Sequence, residues 1–385
     1  MSRADKPLAG LTVVDFSQFL SGPYAGLRLA DLGARVIKIE NPSGGDLCRR
    51  LYISNVEIEG DSSLFHAINR NKESFCVDLK DERGKEALAR LLEKADVVIQ
   101  NFRPGVIERL GFGYDAVRKI NPSIVYGSIS GYGTVGPLMG MPGQDLLVQS
   151  LTGLARSGMR DLGDGNHDSP LAYGLAVADM GAGALLAEGI LAALVRRSVS
   201  GRGALVETSL LEATLDLMQE AFSDILVSSS EANEKGQVSA PAGIYRTMNG
   251  YLAIGRGCSQ TRLIQAIGME EEKKRTSDAV NQLECIEDVR QWIQAKLTSR
   301  STADWLIALE QAGISCSEVM DWNGLLKHDG FRALEMNQTV QRSSGRTYRA
   351  LRCPIRIDGR RLTSVTGSPR IGEHNEAILR ELNTK

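Results

Sequence analysis

The residues best placed to do chemistry stand at the head of one apolar stretch, Gly174 to Arg197 (GLAVADMGAGALLAEGILAALVRR). Asp179 is the lone carboxylate at its front, followed by Met180-Gly181-Ala182-Gly183, a run with little side chain to cover it. The stretch should be extended up to Asp179 and helical beyond it. Leu185, Leu186, Ile190, Leu191 and Leu194 lie at helical spacing. A carboxylate at a helix start meets partial positive charge and unpaired N–H groups. Small neighbours would let a carbonyl approach. That is a setting for a carboxylate nucleophile. Asp is also a preferred N-cap, and Gly181 and Gly183 serve equally to let helices pack closely. On this stretch alone the cap is the simpler reading.

Other chemistries are poorly served. There is no GxSxG and no HExxH, and no metal-ligand spacing. The four histidines, His66, His167, His328 and His374, are far apart in sequence and read as surface or structural residues. Six single cysteines without CxxC spacing suit free thiols in a reducing, cytoplasmic setting. A net charge of −2 argues against nucleic acid or an acidic membrane as the main partner. No leader peptide and no membrane span is expected, since the apolar run Ala184–Leu194 is short and carries Glu188.

The elements that must position Asp179 follow a βα rhythm. Leu11–Phe16, Ala34–Glu40, Ser74–Leu79, Ala95–Gln100 and Ile124–Ile129 read as strands, with helices at Tyr24–Leu32 and Lys80–Lys94 between them. Strands alternating with helices imply a mostly parallel sheet, with ligands at the carboxyl ends of its strands. Glu40 closes the second strand as in a dinucleotide fold, but GxGxxG is missing, so a nicotinamide site is poorly supported. Ala204–Ser209 reads as a strand and Leu210–Phe222 as one helix. Ser228–Ser239 is the best linker candidate. Beyond it the pattern becomes α+β, with a hairpin around Asn249-Gly250, helices near Leu263–Ile267, Glu287–Leu297 and Thr302–Ala312, and a strand at Ile314–Val319. The expected division is 1–225 for a large domain, 226–325 for a small one, and 326–385 returning to the large domain.

Together these pieces resemble the class III CoA-transferases, a family that includes formyl-CoA, oxalate and carnitine CoA-transferases and a racemase branch. The motifs are Pro7-Leu8-Ala9-Gly10, Ser21-Gly22-Pro23, Leu32-Gly33-Ala34-Arg35-Val36-Ile37-Lys38-Ile39-Glu40, Asn71-Lys72 with Asp78-Leu79-Lys80, Asn101-Phe102-Arg103-Pro104-Gly105, Asn121-Pro122 to Gly133, Asp179 with Gly201-Arg202-Gly203, and Gly372-Glu373-His374. Each is weak alone; the ordered set, running nearly end to end, is specific. The resemblance implies an α/β fold with a Rossmann-like large domain, a smaller α+β domain and an interlocked homodimer. It places Asp179 where the family keeps its catalytic carboxylate, and Gly255 and Gly257 in an active-site loop. It implies a CoA site from Val77, Leu79, Lys80, Asn101, Phe102, Arg103 and Arg109. The guanidinium fork of Arg109 suits a pyrophosphate; without the family it reads as a solvated arginine, and Val77 and Leu79 as strand core.

Departures narrow the assignment. Leu20 stands where formyl-CoA transferases carry Gln, with Gln18 two positions earlier, and the glycine-rich loop is reduced to Gly255-Arg256-Gly257. The Gly-His-Asp of the racemase branch is Gly143-Gln144-Asp145 here, and glutamine cannot take a proton from an α-carbon. The expected activity is therefore CoA transfer from an acyl-CoA to a carboxylic acid through an aspartyl intermediate. No tightly bound cofactor or metal is expected, since the CoA thioester is a substrate. A racemase or epimerase, and a CoA-binding homologue without chemistry, are the alternatives. Backbone N–H groups near Met180–Gly183 or Gly255–Gly257 are the expected oxyanion donors, and Arg256 hints at a dicarboxylate.

Overall fold

The computed structural model describes residues 5–51, 54–157, 172–228, 241–269 and 282–384. The chain divides into two compact units, one of Met1–Ala232 with Glu335–Lys385 and one of Asn233–Leu334. Most of the expected linker, from residue 229 on, lies outside the described residues, as does His167.

The larger unit is built on one sheet. Its strands are β1 (Thr12–Asp15), β2 (Arg35–Glu40), β3 (Glu73–Cys76), β4 (Val97–Gln100), β5 (Val125–Ser130) and β6 (Ala204–Ser209). They lie in the order β3-β2-β1-β4-β5-β6, and every pairing is parallel. That is the order of the doubly wound dinucleotide fold. The helices between them are α1 (Ser21–Asp31), α2 (Ser63–Asn69), α3 (Glu82–Glu93), α4 (Val106–Arg109) and α5 (Tyr114–Ile120). Then come α6 (Asp145–Leu151), α7 (Leu154–Ser157), α8 (Val177–Ser200), α9 (Leu210–Leu217) and α10 (Gln219–Ser228).

Strands covered on both faces read as unbroken apolar runs, and residues two apart share a face. Val13, Val36, Val97 and Ile99 accordingly join one core, with Leu29 of α1 and Ala182, Leu186 and Ile190 of α8. Val14, Ile37 and Val98 join the opposite one, with Leu88 and Leu92 of α3.

Helix α8 is the longest element and passes closest to the site. It packs on α1, α9, β5 and β6. Small residues make this possible. A Cβ on Gly183 would collide with the carbonyl oxygen of Ser21, and one on Gly189 would come within 2.6 Å of Val206. By length and composition alone α8 could cross a membrane, with a mean hydropathy of 1.6 over 18 residues, contrary to the expectation that no such stretch exists. Its buried face, from Ala178 through Leu194, is part of the sheet's core. At the other end Arg197 pairs with Asp96 at 2.8 Å, and Gly201 (φ 68°) closes the helix in the left-handed region.

The smaller unit is α+β. Strands β7 (Gly243–Arg246) and β8 (Tyr251–Ile254) form the hairpin around Asn249-Gly250, and β9 (Cys316–Glu318) adds antiparallel to β8. Helices α11 (Gln260–Ile267), α12 (Gln282–Leu297) and α13 (Thr302–Gln311) supply its core with Leu263, Ile293 and Trp305. After α14 (Trp322–Lys327) and α15 (Asp329–Leu334) the chain belongs to the large unit again. Its last helix, α16 (Asn375–Asn383), covers the edge strand β3. The Asn375 side chain accepts the Cys76 N–H at 2.7 Å, and His374 Nδ1 accepts the Ser74 N–H at 3.2 Å. His374 is therefore a structural residue that protects a sheet edge.

Candidate active site

Asp179 sits in the first turn of α8, which begins at Val177, two residues before the expected start. The carboxylate is thus inside the helix and is not its cap. Ala176 occupies the cap position and offers no side-chain oxygen. The cap comes from another element: Asp145, the first residue of α6, accepts the Asp179 N–H on Oδ2 at 3.0 Å. Asp145 is in turn held by the amide of buried Gln149. The same amide bonds the Leu175 carbonyl at 3.2 Å and the Tyr173 N–H at 3.0 Å, fixing the chain that leads into α8.

Burial pushes the Asp179 carboxyl up from 3.8 to about 6, and the negative charge of Asp145 pushes the same way. A hydrogen bond from the Ser21 hydroxyl, at the first position of α1, offsets part of the rise. Two helix N-termini therefore meet at this carboxylate, and their partial positive charge is available to an oxyanion. The N–H groups of Met180–Gly183 are not, because each bonds back along α8, as Met180 does to Ala176 at 3.0 Å. The expectation that they serve as oxyanion donors is corrected here.

The loop from Phe16 to Leu20 lies where the sheet order reverses, between β1 and β4, the place at which doubly wound sheets bind ligands. It is held at every residue. Asp15 accepts the N–H and hydroxyl of Ser17, and Lys38 donates to the Ser17 carbonyl at 2.7 Å. Asn101 accepts the Gln18 N–H and donates to the Gln18 carbonyl, both at 2.8 Å. Asp46 accepts the Phe19 N–H at 3.1 Å. Phe19 is left in the left-handed region (φ 64°), strained for a side chain that bulky, with its ring exposed. Beneath the loop, two wholly buried ion pairs interlock: Lys72 with Asp15 at 2.9 Å and Lys38 with Asp46 at 2.7 Å. Burial alone would raise Asp15, but Lys72, Lys38 and the Ser17 hydroxyl outweigh it and hold the carboxyl below its ordinary value.

The residues expected to meet CoA lie on the carboxyl ends of β3 and β4. Val77, Leu79 and Phe102 belong to one apolar cluster with Val14 and Phe16. Lys80 and Arg103 are exposed. Arg109 ends α4, exposed, with its guanidinium 3.3 Å from where a Cβ on Gly105 would stand. Asn101 spends its amide on Gln18 and is a pin for the loop. Gly255 and Gly257 are in the other unit. Gly255 donates to the Ser315 carbonyl at 2.8 Å, and Gly257 has φ 79° with open space about it. Gln144 is exposed, one residue before the helix that carries Asp145.

Known proteins decide the family. The family model described as CoA-transferase family III matches residues 8–375. The chain belongs to CoA-transferase family III. The transferase is 30% identical over 398 residues to a succinate–glutarate CoA-transferase of Agrobacterium fabrum, covering 100% of this chain and 98% of that one. It is 31% identical over 401 residues to a formyl-CoA:oxalate CoA-transferase of Streptomyces coelicolor, covering 97% and 94%. Among solved structures, a CAIB/BAIF family protein from Brucella suis superposes with a TM-score of 0.86 at 29% identity, covering 98% and 100%.

Sequence reasoning undervalued three residues of this transferase. Asp145 was visible only as part of a departure from the racemase motif. Ser21 was visible only as part of a turn. Asp46 carries no motif signal at all, and only the fold shows that it supports Phe19.

Proposed function

We propose that the enzyme transfers CoA from an acyl-CoA to a carboxylic acid by covalent catalysis through Asp179. The observation that carries this is the carboxylate itself. It is half-buried, placed where two helix N-termini meet, and pushed up to about 6, so it is ionised at neutral pH yet more basic than an ordinary carboxylate.

An Asp179 oxygen attacks the donor thioester carbonyl. The C–S bond breaks, giving a mixed anhydride and CoA thiolate. The thiolate attacks the aspartyl Cγ, the donor leaves as its carboxylate, and Asp179 becomes a CoA thioester. The acceptor carboxylate attacks that thioester and releases the thiolate again. The thiolate then attacks the acceptor carbonyl, giving the new acyl-CoA and free Asp179. No water or net proton enters.

In this reading the CoA body lies along the ends of β3 and β4. Val77, Leu79 and Phe102 offer apolar contact, while Lys80, Arg103 and Arg109 face the phosphates. The relatives' names make small dicarboxylates, glutarate and succinate first and oxalate next, the acids to test. A cytoplasmic homodimer is part of the proposal. Exposed Val195, Val199, Leu217, Leu226 and Val227 on α8, α9 and α10 supply apolar surface for a second subunit. A monomeric mass with full activity would refute it.

The test of function incubates the enzyme with succinyl-CoA, formyl-CoA or acetyl-CoA and a panel of glutarate, succinate and oxalate. New thioesters are followed by mass. Acceptor-dependent formation of a new acyl-CoA supports transfer. Deuterium exchange at the α-carbon without transfer would replace this reading with the racemase one, and binding without either would leave a CoA-binding protein.

A further inference from the structure

The Asp179 N–H is one of the donors that a helix start leaves unpaired. The residue at the cap position, Ala176, provides no side-chain acceptor for it. The partner reaches in from α6, and it is a second carboxylate, Asp145, 3.0 Å away on Oδ2. A neutral serine or asparagine would satisfy the N–H equally well, so a charge at this place needs another reason.

Resting on the covalent reading above, we infer that Asp145 is a positioning residue for the nucleophile: it holds the first turn of α8 through the Asp179 N–H, and its charge keeps the neighbouring carboxylate a strong nucleophile. Among the described residues, the other groups around this turn do not do so. From α1 comes the Ser21 hydroxyl, which acts in the opposite direction, and Arg28, which pairs with Asp31 at 3.0 Å. From α9 come Glu212, which accepts from the Ser209 hydroxyl, and Asp216, which accepts from Gln219. Glu207 of β6 is exposed, and β5 carries no charge. Gln149 fixes Asp145 by its amide, so the charge is held in place without being neutralised.

The test is a pH profile of kcat/KM for the CoA thioester between pH 5 and 8. It uses whichever of succinyl-CoA, formyl-CoA and acetyl-CoA the wild type turns over. Asp145→Asn keeps an acceptor for the N–H and removes the charge. Its acid limb should move to lower pH, by less than half of the interval between 6 and 3.8, because burial is the larger cause of the rise. Activity relative to wild type should therefore climb as pH falls and be several-fold down at pH 8. Asp145→Ala should show the same displacement with a further loss at every pH, which Asp145→Asn restores. Asp145→Ser gives the same readout if the asparagine variant does not fold. A limb that stays in place, with one constant ratio to wild type at all pH values, overturns the electrostatic role. Equal activity of the alanine and asparagine variants overturns the hold on the N–H. Absence of an acyl adduct on Asp179 in the wild type would instead refute the covalent reading beneath.

Discussion

Two groups of carboxylates withdrawn from water, one fully and one in part, are treated in opposite ways in this enzyme. Under the loop from Phe16 to Leu20, Asp15 and Asp46 each face a lysine, Lys72 and Lys38, with all four side chains withdrawn from water. At the head of α8, Asp179 faces another carboxylate, Asp145, across a main-chain hydrogen bond. The first arrangement holds the Asp15 carboxyl below its ordinary value and fixes a strained loop. The second leaves its acid more basic than usual, which costs folding free energy and gives a better nucleophile. Withdrawal from water pushes Asp15 and Asp179 up alike; the sign of the neighbour separates scaffold from chemistry.

The largest effect should come from breaking the scaffold. Lys72→Met strands Asp15 beside a single remaining lysine and removes the donors to the Pro23 carbonyl and Asn69. It should cost about 3–5 kcal/mol, read by urea unfolding, with loss of transfer as the loop is released. A cost below about 1 kcal/mol would erase the contrast.

The catalytic pair should respond with the opposite sign. The folded carboxyl of Asp179 is pushed above its ordinary 3.8 to about 6, so its ionised form opposes folding. That penalty is full above about pH 6 and absent below 3.8. Asp179→Asn should raise stability by up to about 3 kcal/mol at pH 8, with the gain fading as pH drops from 6 towards 4, while transfer is lost. Thermal melts across pH would show it. A destabilised asparagine variant at pH 8 would mean that Asp179 belongs with the scaffold.

Arg109→Ala probes the proposed CoA side. Losing a charge-assisted phosphate contact should cost about 1.5–3 kcal/mol, seen as a higher KM for the CoA thioester with kcat little changed. An unchanged KM would return Arg109 to the solvent. Last, Gly183→Ala puts a methyl group against the Ser21 carbonyl and pries α1 from α8. It should cost about 1–3 kcal/mol in stability, with a fall in kcat because Ser21 moves away from Asp179. Unaltered kcat would show that the α1–α8 contact does not tune the nucleophile.

How much of this was legible in the sequence differs between the same two regions. The strands were, because parallel strands buried on both faces spell themselves as runs such as Thr12–Asp15 and Val97–Gln100. Ala204–Ser209 and the Asn249-Gly250 hairpin were legible for similarly local reasons. The chain expected as one helix from Leu210 breaks at Met218 into α9 and α10, which no Gly or Pro announces. The start of α8 was misplaced because its cap is supplied from 34 residues away by Asp145, which no local pattern encodes. Asp179 could be picked out as a lone carboxylate, but its basicity could not. A helix start suggests a depressed carboxyl, whereas burial and Asp145 together reverse the sign. Asn101, expected at CoA, also holds Gln18, a pairing across the sheet's reversal point that needs the strand order to be seen.

The central claim is that Asp179 itself carries the acyl group and then CoA. It is tested most directly by mixing wild-type enzyme with succinyl-CoA, formyl-CoA or acetyl-CoA, quenching with hydroxylamine, digesting, and locating the hydroxamate by mass. The account predicts a hydroxamate on Asp179, absent from the Asp179→Ala variant, which folds and binds CoA but transfers nothing. A hydroxamate on another carboxylate, or transfer by the Asp179→Ala variant at the wild-type rate, would contradict it.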